Sequence, residues 1–188
     1  MARINVIEYV TIASVGNVTD FGNLTAVRSE VSGCSSSVRC LIGGGAGDGG
    51  GNNTLNIIEY VTIATTGNSI DFGDLTLARN QTAAASSGTR GIFSGGGDTR
   101  RNTIDYVTIA STGNATDFGD LAQSKDSHAG TSSSTRAVFG GGHDGTSEGI
   151  NVIEYVTIAS VGNAADFGDL TAVRQLPAAT SNGHGGLQ

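Results

Sequence analysis

Asp71-Phe72-Gly73 spells the magnesium-binding triplet of protein kinases and is the first place to look for chemistry in this chain of 188 residues. Phosphoryl transfer also requires a strand lysine, a catalytic loop and a glycine-rich loop over the phosphates, and none accompanies the triplet. The same letters recur at Asp20-Phe21-Gly22, Asp117-Phe118-Gly119 and Asp166-Phe167-Gly168, so the aspartates are expected to cap turns. A second set, Arg28, Arg79, Lys125 and Arg174, has the opposite sign and reads as cations of repeat-linking ion pairs, in preference to a ring of metal ligands. A third set, Glu8, Glu59, Asp105 and Glu154, is expected to pair with Arg39, Arg90 and Arg136 across adjacent strands and so hold register. Gly185 stands where a fourth such arginine would fall, which leaves Glu8 without that partner.

Other chemistries fare no better. His128, His143 and His184 are scattered without ligand spacing, and no Ser or Cys has a His and Asp escort. Gly44-Gly45-Ala46-Gly47-Asp48 is similar to a calcium-binding glycine-aspartate nonapeptide but occurs once, whereas a calcium β-roll needs consecutive copies. The glycosylation sequons at Asn17, Asn23, Asn80 and Asn114 reflect a chain rich in Asn and Thr. The reading is therefore noncatalytic, with no cofactor and no metal. Recognition remains, and it falls on three loops that differ among repeats, residues 46–54, 98–102 and 143–149. Their side chains Asp48, Asn52, Asp98, Arg100, Arg101, His143 and Asp144 are the candidate ligand contacts on one rim of a constant scaffold.

The scaffold that would position them is a repeat. One sentence, Ile-Glu-Tyr-Val-Thr-Ile-Ala followed by Gly-Asn and Asp-Phe-Gly-Asp-Leu, is written with small changes over residues 7–24, 58–75, 104–121 and 153–170. Its tyrosines, Tyr9, Tyr60, Tyr106 and Tyr155, lie 51, 46 and 49 residues apart, the length of a propeller blade. Thirty glycines, one proline, 37% hydrophobic and 14% charged residues describe many short strands joined by tight turns. The even spacing argues for one domain, with repeats at about 4–55, 56–101, 102–149 and 150–188. A net charge of −7 is unfavourable for binding a phosphate backbone, so nucleic acid is not an expected partner. No apolar run spans a bilayer and no leader segment is visible, which suggests a soluble protein without membrane insertion.

Within each repeat the strands can be taken in order. Residues 4–13 are apolar on both alternating faces, as in a strand covered by two layers. A Gly-Asn turn reverses the chain into a short strand carrying the Phe. A run of small residues follows (Ser32 to Ser37, Ala83 to Ser87, Gly130 to Ser134, Ala178 to Ser181), fit only for the crowded innermost strand of a propeller. A second apolar strand then ends in a glycine cluster. The chain starts with two outer strands and ends with an innermost one, so the last blade is expected to form from both ends of the chain, leaving no open edge. Cys34 and Cys40 could bridge adjacent strands but are read as small apolar residues.

The order of glycine-ended strand (Val138 to Gly142), Tyr155, Phe167 and Arg174 resembles the kelch repeat, with Phe where kelch has Trp and 12 residues between Tyr155 and Phe167. The wording of the repeat is also similar to repeats in long proteins of marine and cyanobacterial tailed viruses. Four copies, 188 residues and the offset of the chain ends agree on four blades, so with the first resemblance the expectation is a kelch-like, all-β, four-bladed β-propeller with four antiparallel strands per blade. The second implies a virion appendage or attachment role. Together with the loops they suggest a viral binding module, a tail or fibre component meeting a host-surface glycan or protein, monomeric in solution. The alternative is a structural protein that assembles with neighbouring copies into a larger array.

Overall fold

The computed structural model describes residues 3–49, 53–146 and 149–181; Asn52, His184 and Gly185 lie outside them. The described residues form strands and turns without helix. In chain order the strands are β1 (Ile4–Tyr9), β2 (Thr19–Ser29), β3 (Ser32–Ser35), β4 (Arg39–Gly43), β5 (Ala46–Gly47), β6 (Ile57–Thr62), β7 (Ile70–Asp74), β8 (Ala83–Ser86), β9 (Arg90–Ser94), β10 (Arg101–Thr108), β11 (Thr116–Lys125), β12 (Ala129–Ser132), β13 (Arg136–Gly140), β14 (Ile150–Thr157) and β15 (Ala165–Arg174). They build four antiparallel sheets, ordered β1-β2-β5, β3-β4-β6-β7, β8-β9-β10-β11 and β12-β13-β14-β15. This is the arrangement of a β-propeller-like fold. The first sheet has the two outer strands of a blade, and β5, from the loop after β4, pairs with β2.

Each long hairpin carries a register shift at the same place, Ile7/Glu8, Ile58/Glu59, Ile104/Asp105 and Ile153/Glu154. Opposite the shift stands the glycine of the Asp-Phe-Gly triplet. Gly73 and Gly119 have φ of +140° and +141°, and a Cβ on either would come within 2.5 Å of the backbone of Gly113 or Gly162 in the next repeat. The triplet glycine is thus demanded by backbone geometry and by close approach of the next turn.

The small-residue strands β3, β8 and β12 meet one another as expected. Ser86 Oγ donates to Ser35 O at 2.7 Å, Ser132 Oγ to Ser86 O at 2.7 Å and Ser181 Oγ to Ser132 O at 2.8 Å, so one hydroxyl per repeat stitches the inner strands together. Farther out, the sheets pack face to face. Leu41, Ile58, Phe72, Phe93 and Ile109 fill one layer, and Ile92, Ile104, Phe118, Phe139 and Ile158 the next. Each Phe meets the Tyr of its own repeat edge-on, at 5.8–6.0 Å. Cys34 lies opposite Leu41 and Cys40 opposite Ser35; both are free thiols. Burial, with Cys40 nearby, pushes the Cys34 thiol up to about 12, so it behaves as the small apolar residue expected.

Two faces are not covered. Phe72 and Phe118 are 2% exposed but Phe167 is 54% exposed, and a Cβ on Gly168 would meet nothing within 4 Å; on the first repeat Ile12 is 98% exposed where Ile109 and Ile158 are 1% and 2% exposed. The expectation that both faces of every repeat are buried holds for the middle sheets and fails at these two surfaces. Phe118→Ala should therefore lower unfolding free energy by about 3–5 kcal/mol, and Phe167→Ala by less than about 1.5 kcal/mol, measured by urea titration of dilute protein. Equal losses would contradict the difference in packing.

Candidate functional site

The repeated charges pair between repeats. Arg28 Nη2 lies 3.1 Å from Glu59 Oε2, Arg79 Nη2 2.7 Å from Asp105 Oδ2 and Lys125 Nζ 2.6 Å from Glu154 Oε1, all essentially buried. The carboxylates are satisfied further. Glu59 accepts from Thr25 and Ser69, Asp105 from Thr76 N and Oγ1, and Glu154 from Ala122 N. Burial pulls the Arg28 and Arg79 guanidinium pKa values down, and their carboxylate partners oppose it. Repeat-linking ion pairs were expected of these cations, but the assignment of the carboxylates to Arg39, Arg90 and Arg136 is corrected. Arg39 stands opposite Thr62 in register, so alternation puts Tyr60 on its face and Glu59 on the other. The three arginines lie 4.5, 4.7 and 4.6 Å from the ring centres of Tyr60, Tyr106 and Tyr155. Arg39 and Arg90 also donate to Ile109 O and Ile158 O, which follow β10 and β14 of the next sheet. Asp20, Asp71, Asp117 and Asp166 are exposed, and among the described residues no group of three His, Cys, Asp or Glu could hold a metal ion.

A cleft lies where each outer strand crosses to the next inner strand. There Glu30, Gln81, Ser127 and Leu176 adopt left-handed φ of 52–59°. They are joined in a backbone line, Gln81 N to Glu30 O, Ser127 N to Gln81 O and Leu176 N to Ser127 O, each 3.0 Å. With Val31, Thr82, His128 and Pro177 they line a cleft of about 360 Å³. His128 is buried, its Nε2 lying 2.9 Å from Ser94 Oγ, while its buried Nδ1 has no partner. Desolvation, then Lys125 and Arg79, push its pKa down to about 3, so the ring is neutral at ordinary pH. Ser94 and His128 lack a carboxylate at Nδ1 and so are not a hydrolytic triad.

The predicted loop residues are divided by the structure. Arg100 and His143 come together from different loops: Arg100 Nε lies 3.0 Å from Asp126 Oδ2 and donates to His143 Nδ1 at 3.1 Å. Asp98 shares Asn80 Nδ2 with Glu30, at 3.4 and 2.7 Å, beside a polar hollow also lined by Arg3, Asn53 and Thr54. Asp48 lies 3.6 Å from Arg3. Asp144 is half-buried and caps its own turn, accepting from Thr146 N and Oγ1; those bonds hold its carboxyl below the usual range. Arg101 opens β10 opposite Lys125 and is exposed. Asn52 lies outside the described residues. The loops thus line a separate polar hollow, which shares Glu30 and Gln81 with the cleft. The floor of the cleft, Glu30, Gln81, Ser127 and Leu176, was missed, although the signal was present: these are positions between the repeated cation and the small-residue run at which the four copies disagree.

No protein-family model matches the sequence, and no curated protein matches it.

The buried neutral His128 predicts a pH dependence. The unfolded ring takes a proton below about 6.5 and the native ring only near 3, so between these values the unfolded state binds more protons and stability falls as pH falls. Unfolding free energies from urea titrations between pH 7 and pH 4 should decline more steeply for the parent than for His128→Gln, by up to about 1.4 kcal/mol per pH unit. Parallel pH profiles would refute the assignment.

Proposed function

We propose that this chain is a noncatalytic recognition module, its scaffold a propeller to which the chain contributes four blades' worth of strands, that binds a carbohydrate-like ligand in the cleft over Glu30, Gln81, Ser127 and Leu176. One observation carries the reading. The cleft touches the same two positions of all four repeats, and there the repeats diverge, to Glu-Val, Gln-Thr, Ser-His and Leu-Pro. The Gly-Asn turns at the far ends of the long hairpins stay nearly identical. A framework held constant beneath a diversified surface is what ligand selection produces and what packing alone does not require.

The chemistry of the surface narrows the class. A carboxylate, an amide and hydroxyls stand beside Val31, Leu176 and Pro177, a mixture suited to a ring with polar edges and apolar faces. The unpartnered buried Nδ1 of His128 offers a further polar contact. A net charge of −7 disfavours polyanions. The resemblance to tailed-virus repeats supports a host-surface glycan as the source of such a ligand, and an attachment role for the module.

The test is a soluble-oligosaccharide panel read by direct binding with the parent and with Glu30→Gly/Gln81→Gly, a change that suits both left-handed backbones. Binding of at least one oligosaccharide, weakened about tenfold or more in the variant without a lower melting temperature, is the expected result. A parent that binds no member, or a variant that binds equally well, defeats the reading.

A further inference from the structure

Inside the chain one interface is made three times. A Gly-Asn turn seats on the Phe-Gly strand of the preceding repeat: Gly67 N donates to Phe21 O, Gly113 N to Phe72 O and Gly162 N to Phe118 O, each 2.7 Å. The neighbouring asparagine accepts a backbone N–H, Asn23 N to Asn68 Oδ1 at 3.0 Å, and Asp74 N to Asn114 Oδ1 and Asp120 N to Asn163 Oδ1 at 3.1 Å. The buried ion pairs Arg28–Glu59, Arg79–Asp105 and Lys125–Glu154 close the same three junctions.

Both halves of a fourth junction are present and unjoined. The first repeat offers Gly16, Asn17, Glu8 and Ile12, and the fourth offers Phe167, Asp169 and Arg174. Ile12 is 98% exposed, whereas Ile109 and Ile158, which take the arginine bonds at internal junctions, are 1% and 2% exposed. Glu8 and Arg174 are exposed and make no ion pair among the described residues, although their counterparts lie 2.6–3.1 Å apart. The missing blade is likewise split. The segment after β15 is already seated on β12 of the fourth sheet through Ser181 Oγ to Ser132 O, and on the connection before β12 through Leu176 N to Ser127 O, while the first sheet contributes the outer strands β1 and β2 without an inner pair among the described residues.

We infer that a second copy of this chain covers these faces, its first repeat docking head to tail on the fourth repeat of its neighbour with Glu8 against Arg174 and the Gly16-Asn17 turn on Phe167. The two faces are different surfaces, so the contact is heterologous: it closes into a ring where the rotation allows and propagates otherwise. Charge complementarity and continuity with the interface already built three times identify the occupant. This inference is independent of the ligand read from the cleft.

Sedimentation velocity over a concentration series tests it, with the parent, Glu8→Arg, Arg174→Glu and an equimolar mixture of the two variants. The parent should exceed the single-chain mass of 18.9 kDa as concentration rises. Either variant alone juxtaposes like charges and should associate about a hundredfold more weakly, while its melting in dilute solution stays that of the parent, because neither side chain makes an ion pair among the described residues. The mixture should recover association, since the arginine introduced in one variant meets the glutamate introduced in the other and the remaining junction is native. A parent that stays at 18.9 kDa throughout, its faces closed on each other or bare, overturns the inference. So does a mixture that fails to recover while the parent associates, because association would then use another surface.

Discussion

The junction between repeats is the constraint on which everything else in this molecule depends. A β-sheet that is apolar on both faces cannot stand in water by itself, and the sequence makes every sheet of that kind. Each repeat therefore carries two unlike halves of one interface, a Phe-Gly strand with a cation on one face and a Gly-Asn turn with a carboxylate on the other. Stacking the repeats buries Phe72, Phe118 and the isoleucines between them and supplies most of the driving force. The ion pairs contribute differently. Taking Lys125 and Glu154 wholly out of water costs several kcal/mol per ion, and their attraction does little more than return it. Their value lies in register: a neighbour slipped by one residue would leave a bare charge in an apolar layer, at a cost of about 3–5 kcal/mol.

That division of labour explains what could be read from the residues alone. Periodicity, turn glycines and the runs of small side chains are local, and they disclosed the strands, their order and the inner position of β3, β8 and β12. The Asp-Phe-Gly triplet could be dismissed as chemistry, but the reason for its glycine is the backbone of Gly113 or Gly162 in another repeat, a contact made by residues 40 or more positions distant. The charges show the limit best. Arg39 and Glu59 lie on paired strands and invite pairing, yet a register of Arg39 to Thr62 places them on opposite faces. Only with that register known does Arg28, from the preceding repeat, become the partner. Alternation can be read from one strand, whereas its phase relative to a neighbour cannot.

The cleft was hidden for a related reason. Attention falls on loops that vary in length, and Asp98, Arg100 and His143 lie in these loops and not in the lining of the cleft. Glu30, Gln81, Ser127 and Leu176 sit in connections of constant length, and they form a line only because the repeats bring their backbones within one hydrogen bond of each other. Each holds a left-handed conformation that costs a non-glycine residue of order 1–2 kcal/mol. The hydrogen bond from the following repeat offsets part of that strain at Glu30, Gln81 and Ser127. The differing residues are thus mounted on a hydrogen-bonded backbone line of one repeated conformation, a disposition suited to presenting varied side chains without varying their positions.

Repetition itself sets the remaining balance. Three nearly equivalent junctions mean that the pieces could join in the wrong order or between chains, the common failure of repeat proteins. The junctions are not fully interchangeable. The Arg79–Asp105 pair uses the shorter carboxylate, and the Lys125–Glu154 pair replaces a fork of donors by a point charge and has Ala122 where the other two carboxylates meet Thr25 and Thr76. The unjoined ends carry Arg174 and Glu8, the chemistry of the Arg28–Glu59 junction. A surface of this kind is kept hydrated by the exposed charges beside Ile12 and Phe167, yet joins its complement through the same groups once they are paired and desolvated. One pair of side chains therefore opposes indiscriminate apolar association and selects the correct neighbour.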